Sequence, residues 1–375
     1  MHVACLESLD NLVSLKTSWD ALSGNNPFRG SLWQHTWAQH FCGSHDPTRS
    51  LRVLLVSSEK QQPTSDISEV VAILPCYEHR TFARGRVLRL IGDGEVCSDH
   101  LGLLCKEHQS EEASDAIVEY LMSREDWDCL DFTYFDENDE ASRNLTNALA
   151  DHGCFLERSP GPNCWSIELP ATWDEFLAMQ SKSHRKHIRR LERSAAKLGS
   201  VEWCLCEGAD TFEQAWQQLV DLHQQRRLSL GEPGCFASES WARFHQEIAQ
   251  QMLAAGQLQL SHLKLQGKPA AAEYQFTSST ATYAYQGGID PNRLDEQPGR
   301  LSLSRTIQYA IGQGHSRYDL MRGDEPYKPH WRAEPNATVR IQATPPRTVA
   351  RWRYAAFDGM RRAGRIVKKA TGLLG

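Results

Sequence analysis

The hydrophobic pattern is clearest between Leu258 and Met321, where its period changes several times in a short space. Leu258 to Leu265, Lys268 to Phe276 and Thr280 to Ile289 are three short runs of β-favouring residues, separated by Gly267 and by Ser278-Ser279. They read as consecutive strands. Leu301 to Ile311 is then apolar at 301, 303, 307, 310 and 311, the spacing of one helix face. Gly312 and Gly314 stop that helix, and Arg317 to Met321 gives one more strand. Between the third strand and the helix lie Gly287-Gly288 and Pro298-Gly299-Arg300. A glycine-containing turn that enters a helix presents backbone N–H groups and the positive end of the helix dipole to an anion such as phosphate.

Elsewhere the pattern is plainer. Helices are expected at Asn11–Leu22, Ser31–Phe41, Glu112–Met122 and Ala141–His152, with strands at Leu51–Ser57, Val70–Tyr77, Arg86–Ile91, Leu101–Cys105 and Cys129–Phe135. The glycine- and proline-bearing stretch Asp151 to Asn163 reads as a boundary. After it come a strand at Trp165–Leu169 and a capping box, Thr172 with Glu175, opening a long helix expected to run to Gly199. A strand at Val201–Cys206 and helices at Phe212–Arg227 and Glu239–Leu253 precede the strand-rich stretch, and Val339–Ala343 would close its sheet. Alternation of this kind predicts an α/β or α+β fold.

Length and charge sharpen the division. A chain of 375 residues exceeds one ordinary core, so two domains are expected. Residues 1–160 carry 13 basic and 26 acidic side chains, residues 161–346 carry 20 of each, and residues 347–375 carry eight basic and one acidic. We therefore expect domains at 1–160 and 161–346 and a separate basic tail at 347–375. In the tail a helix would align Trp352, Ala356, Met360, Ala363, Val367, Ala370 and Leu374 on one side, a basic amphipathic helix suited to an anionic membrane surface or to packing on its own domain. No apolar run reaches the roughly 18 residues of a membrane span, and the N-terminus lacks the form of a secretory signal. The eleven cysteines are scattered and without a Cys-x-x-Cys pair, as in a reducing cytoplasm. The expected location is the cytoplasm, with peripheral contact at the inner face of the cell membrane through the tail.

Several familiar motifs fail. Gly92-Asp93-Gly94 lacks the third glycine of a dinucleotide turn, and His184-x-x-His187 sits in a basic context hostile to metal. No Walker sequence, His-Glu-x-x-His or Gly-x-Ser-x-Gly occurs, so no metal site is expected.

Four segments carry a resemblance: Ser183 to Arg190, Ala271 to Gln275, Tyr283 to Gly288, and Tyr318-Asp319-Leu320 through Tyr327-Lys328. In this order they resemble the coenzyme A-binding core of the GNAT acyltransferases. More narrowly they are similar to the bacterial cellulose-biosynthesis acetyltransferases of the CelD/BcsL type, which resemble the Fem aminoacyltransferases in carrying two GNAT units per chain. The resemblance implies tandem units, each a mixed, mostly antiparallel sheet flanked by helices, the first without coenzyme A. It implies acetyl-CoA or another acyl-CoA as donor and a small-molecule or saccharide acceptor belonging to the cell envelope or an exopolysaccharide. Gln297-Pro298-Gly299-Arg300-Leu301-Ser302 is a degenerate form of the family's pyrophosphate turn.

Gly287, Gly288, Gly299, Arg300, Leu301 and Ser302 are accordingly the candidates for holding the donor. Glu273, on a strand face with Ala271 and Gln275, is the first candidate base, and Asp324 the second. Tyr285 would bind acceptor or protonate the leaving thiolate. Lys328 matches the lysine that Fem-like relatives carry after an aromatic residue, which implies stabilisation of developing negative charge. Arg322 and Tyr327, just past a strand end, and Arg185 and Arg189, on the basic helix, are candidate substrate contacts. Nucleic acid is disfavoured, since no aromatic residues interleave the charges. A Fem-like enzyme using aminoacyl-tRNA and a non-catalytic adaptor of a membrane synthase are the rival classes.

Overall fold

The computed structural model describes residues 1–58, 69–96, 98–136, 138–197 and 199–370. Cys97 and the last residues of the tail, among them Leu374, lie outside the described residues. The chain folds into two compact units, Met1–Gly161 with Ala337–Gly375, and Pro162–Asn336.

The second unit is a seven-stranded sheet in the order Val201–Leu205, Leu258–Leu265, Lys268–Thr277, Ala281–Ile289, Arg317–Arg322, Cys164–Glu168, Glu334–Asn336. All neighbours are antiparallel except Ala281–Ile289 and Arg317–Arg322. That parallel pair requires a crossover, and the helix Pro298–Gly312 makes it. Pro298 starts the helix at a position where its missing N–H costs nothing. The helix buries Leu301, Ile307, Ala310 and Ile311 against two clusters of sheet residues. The face that carries Ala272 and Tyr274 is covered by helix Ala209–Ser229, whose Phe212, Ala215, Trp216, Leu219 and Leu222 are buried.

The first unit has a four-stranded sheet, His2–Leu6, Val53–Ser57, Val70–Leu74, Leu104–Cys105, and a six-stranded one, Arg49–Leu51, Cys76–Thr81, Gly85–Leu90, Cys129–Asp136, Thr338–Thr344, Phe155–Pro160. Here too one pair, Gly85–Leu90 with Cys129–Asp136, is parallel within an otherwise antiparallel arrangement. The second unit is thus one mixed, mostly antiparallel sheet with helices, and the first carries a mixed, mostly antiparallel sheet beside a smaller antiparallel one.

Several local expectations change; among them, the expected helix Asn11–Leu22 is two helices, and the expected strand Val70–Tyr77 is divided between the two sheets of the first unit. The strand around Val339–Ala343 does not close the second sheet but lies between Cys129–Asp136 and Phe155–Pro160 of the first unit. Phe155–Pro160, inside the expected boundary, is itself a strand; its exposed and half-buried edge residues lack the apolar alternation that would mark it. The capping box at Thr172 forms, yet its helix ends at Met179, because buried Gln180 is extended and the Ser181 hydroxyl accepts the His184 N–H (3.2 Å) to start a new helix, Lys182–Lys197. The tail helix, Thr348–Ala370, belongs to the first unit.

Candidate active site in the second unit

The strands Ala281–Ile289 and Arg317–Arg322 pair only over Ala281–Tyr283 and Arg317–Asp319. Beyond that point each carries an irregularity. Opposite Lys268–Thr277 the register passes from Gln275↔Ala284 to Tyr274↔Gln286, so Tyr285 is an extra residue. On the other strand Met321 adopts φ +59°, held by the Asp319 carboxylate, which accepts its N–H (2.8 Å). The two bulges turn the strands apart. A cavity of about 580 Å³ occupies the opening, lined by Glu273, Ala284, Ile289 and Leu320 from the sheet, by Gln297 to Arg300 and Leu303 from the helix, and by Tyr327 and Trp331.

Glu273 lies against Gly287: a Cβ there would meet Glu273 Oε2 at 2.9 Å and the Ala272 carbonyl at 3.2 Å. Burial among protein atoms pushes its carboxyl from 4.5 up to about 7. The Ser302 hydroxyl opposes this in part, although it makes no hydrogen bond of normal geometry. Among the described residues no cation lies within ion-pair distance of Glu273. The result is a carboxyl facing an apolar cavity and able to exchange a proton near neutral pH.

The start of the crossover helix forms the positive side of the cavity. Gln297 is left-handed (φ +52°), and its Oε1 accepts from His187 Nε2 (3.0 Å) and Arg300 Nη1 (3.2 Å). Arg300 Nη1 also lies 3.0 Å from His187 Nε2, and Arg190 Nη2 lies 3.0 Å from His187 Nδ1. His184, edge-on to Trp331 at 4.9 Å, is driven down to about 4 by burial and by its cationic neighbours. Behind the helix a buried chain runs from Thr306 to the Tyr318 hydroxyl (2.8 Å), from there to Gln275, and on to Gln259 (2.6 Å), tying the helix to three strands.

The candidates named from sequence fall into three groups. Glu273, Gly299, Arg300 and Tyr327 line the cavity, and Gly287 makes room for the Glu273 carboxyl. Ser302 is buried beside Glu273, whereas Leu301 is a core residue packed with Leu191 and Leu263. The others are placed away from the opening. A Cβ on Gly288 would strike the backbone of His223 and Leu222 (2.8 Å), so this glycine admits the helix Ala209–Ser229. Tyr285 bonds His245 Nε2 (3.1 Å) and packs against Tyr274 and Phe276, and the Gly287 N–H donates to Gln286 Oε1 (3.0 Å). Lys328 is buried, and its ammonium donates to the carbonyls of Met321 (3.0 Å), Arg322 (2.9 Å) and Gly323 (2.9 Å) beside Glu325 (2.9 Å). These bonds tie it to the loop after the strand rather than to the cavity. Asp324 accepts from Asn163 (2.8 Å) and Trp165 (3.0 Å), bonds that hold its carboxyl below the usual range and make it a weak base. Arg185, Arg189 and Arg322 do not line the cavity.

From sequence, His184 and His187 stand out only as a rejected metal motif and Gln297 only within the degenerate turn, and none of the three is proposed as a site residue. The two histidines share the helix side of Ile188 and Leu191, already recognisable as buried, and that spacing is the signal that could have found them.

Residues 182–329 match the acetyltransferase (GNAT) domain family. No curated protein matches the chain by sequence. Among solved structures it is similar to FemX, at 10% identity and a TM-score of 0.60 over 91% of this chain and 97% of that one. It is also similar to the C-terminal domain of a protein assigned as a lysylphosphatidylglycerol synthetase from Agrobacterium fabrum (11% identity, TM-score 0.53, 94% and 97% covered). A third is a conserved protein of unknown function from Bacteroides thetaiotaomicron (9%, 0.54, 92% and 100%). These likenesses speak to fold alone, and they extend over both units. Residues 182–329, the stretch that matches the acetyltransferase (GNAT) domain family, supply every wall of the cavity except Trp331.

Proposed function

We propose that the second unit transfers an acyl group from a coenzyme A thioester to an amine or hydroxyl, with Glu273 as the base. The observation that carries this is the Glu273 carboxyl, raised to about 7 with no cation partner among the described residues, facing a cavity that opens between splayed strands at a helix start. The helix N-terminus and Arg300 suit the pyrophosphate of the donor, whose acyl arm would enter between Ala284 and Leu320. As the acceptor attacks the thioester carbonyl carbon, its proton passes to Glu273. The C–S bond then breaks, and the departing thiolate takes a proton from the phenol of Tyr327, which lines the cavity. Alignment of donor and acceptor in the opening supplies much of the rate. The acceptor class we favour is a cell-envelope or exopolysaccharide precursor of the kind handled by cellulose-biosynthesis acetyltransferases, and this rests on the four-segment resemblance alone.

Fem-like chemistry, with aminoacyl-tRNA as donor, is the competing reading, favoured by the likeness to FemX. Thermal denaturation with acetyl-CoA, coenzyme A and tRNA separates the two. Stabilisation by both coenzyme A compounds and not by tRNA is expected; stabilisation by tRNA alone would overturn the donor assignment.

A further inference from the structure

The tail helix packs in an unexpected orientation. Its attachment to the first unit runs along positions 347, 350, 353, 354 and 357. Arg347 donates to the Arg124 carbonyl (2.6 Å), Ala350 is buried, Arg353 pairs with Asp128 (2.7 Å), Tyr354 donates to Glu157 (2.7 Å), and the Arg84 guanidinium lies 5.3 Å over the Phe357 ring. The apolar stripe, which would be the packed side of an ordinary surface helix, is turned away. Val349 is 63% exposed, Trp352 73% and Met360 58%, and Ala356 and Ala363 on the same stripe are exposed as well. Phe82, fully exposed, stands at the turn joining Cys76–Thr81 to Gly85–Leu90. That turn also holds Arg84, and a Cβ on Gly85 would meet both Asp128 and the Arg353 guanidinium, so the turn and the helix adjoin.

We infer that this stripe, with Phe82 beside it, docks the chain on an anionic lipid surface. Charge selects the occupant. The segment 347–375 carries eight basic residues and one acidic one, so a second copy of the helix would bring like charges together, whereas an acidic bilayer attracts them. Arg347 and Arg353 lie on the attached side of the helix, away from the stripe. A helix is about 10 Å across, slightly more than the Debye length of about 8 Å at physiological salt, so charge on the far side reaches a surface touched by Trp352 at roughly a third of its unscreened strength, and the attraction is strongly salt-dependent. Trp352 and Met360 then enter the boundary between headgroups and acyl chains, as interfacial helices do, without spanning it. Among the described residues no helix is long and apolar enough to cross a membrane.

The experiment is co-sedimentation of the full chain with vesicles of phosphatidylcholine alone and of phosphatidylcholine mixed with phosphatidylglycerol. Binding to the mixed vesicles, release at high salt, and an approximately tenfold weaker association for Trp352→Ser with Met360→Ser are expected. Both side chains are exposed, so melting temperature should be unchanged and serves as the control. Phe82→Ser should weaken binding to a smaller extent. Wild-type binding that ignores phosphatidylglycerol, or undiminished binding by the folded double variant, would overturn the proposal. So would a concentration-dependent dimer in gel filtration that the double variant abolishes, since the stripe would then be a contact between copies.

Discussion

The two units share one strand plan and use it differently. Each places a short parallel pair beside an antiparallel hairpin, and each follows it with a left-handed residue on the second strand of the pair, Tyr134 (φ +63°) in the first unit and Met321 (φ +59°) in the second. In the second unit the strands open on a cavity. In the first, the residues near the same strand ends, Leu90, Ile91, Phe132 and Phe135, are almost inaccessible and belong to its core. The carboxylates differ in the same way. Asp93 is held by Arg89 (2.5 Å) and Tyr77 (2.7 Å), and Asp131 by Arg84 (2.5 Å) and Arg340 (2.7 Å), whereas Glu273 has no cation. A shared topology therefore gives the opening, but only packing and charge decide whether it becomes a reactive site or a buried ion pair.

The largest expected effect tests that difference directly. With an acceptor in hand, Glu273→Gln should lower turnover by about 10²–10⁴-fold, while Asp93→Asn, which alters an ion-paired carboxylate of the first unit, should leave kcat unchanged. Equal losses in both would erase the distinction between the units.

Next is stability. Asp131 sits almost inaccessible between two arginines, and Asp131→Ala would strand those charges at a cost of about 3–5 kcal/mol. Urea unfolding measures this, and coenzyme A binding at low temperature should survive it.

The two carboxylates should also respond to pH with opposite signs. Burial opposes ionisation of Asp131, but Arg340 and Arg84 prevail and hold its folded pKa below the usual range. Its contribution is therefore present above the ordinary carboxylate pKa and is lost as pH falls through the folded value. Glu273 is raised by burial, so the native state keeps its proton between 4.5 and about 7, and stability declines as pH rises across that window. Glu273→Gln removes this cost, giving a protein more stable than wild type at pH 8 by up to roughly 3 kcal/mol and equal to it in acid. In the wild type, kcat/KM should fall about tenfold per pH unit below 7, because the base must be ionised.

The smallest effect concerns the donor. Arg300→Ala should weaken coenzyme A binding by about 1.5–3 kcal/mol. Gly299→Val, whose first added carbon already meets Ile289 Cγ2 at 3.3 Å, should weaken it by narrowing the cavity. Calorimetric titration of both decides whether the helix start is the anion site; unchanged affinity in both would place it elsewhere.

Local pattern was a good guide where one face of an element is apolar. The strands Leu258–Leu265 and Lys268–Thr277, the helix Ser31–Phe41 and the Thr172 capping box appear within a residue or so of where spacing put them. It was a poor guide at sheet edges and long-range pairings. Phe155–Pro160 has no buried face to announce it, and Thr338–Thr344 joins Cys129–Asp136 across some two hundred residues of chain. Among the residues that line the cavity, Glu273 and Arg300 were recognisable as candidates because a carboxylate on a strand and a cation at a helix start are informative in themselves. Lys328 and Asp324 looked equally chemical, and only their hydrogen bonds show that they hold a loop.

By itself the sequence determined the element types, the order that marks a GNAT-like core, the charge division and the amphipathic tail, because each depends on residues near one another in the chain. Tertiary structure decided which carboxyl is left without a cation, which glycine faces the cavity and which admits a helix, where the last strand pairs, and which side of the tail helix is free. Those outcomes depend on desolvation and contact between residues distant in sequence, and no local pattern encodes them.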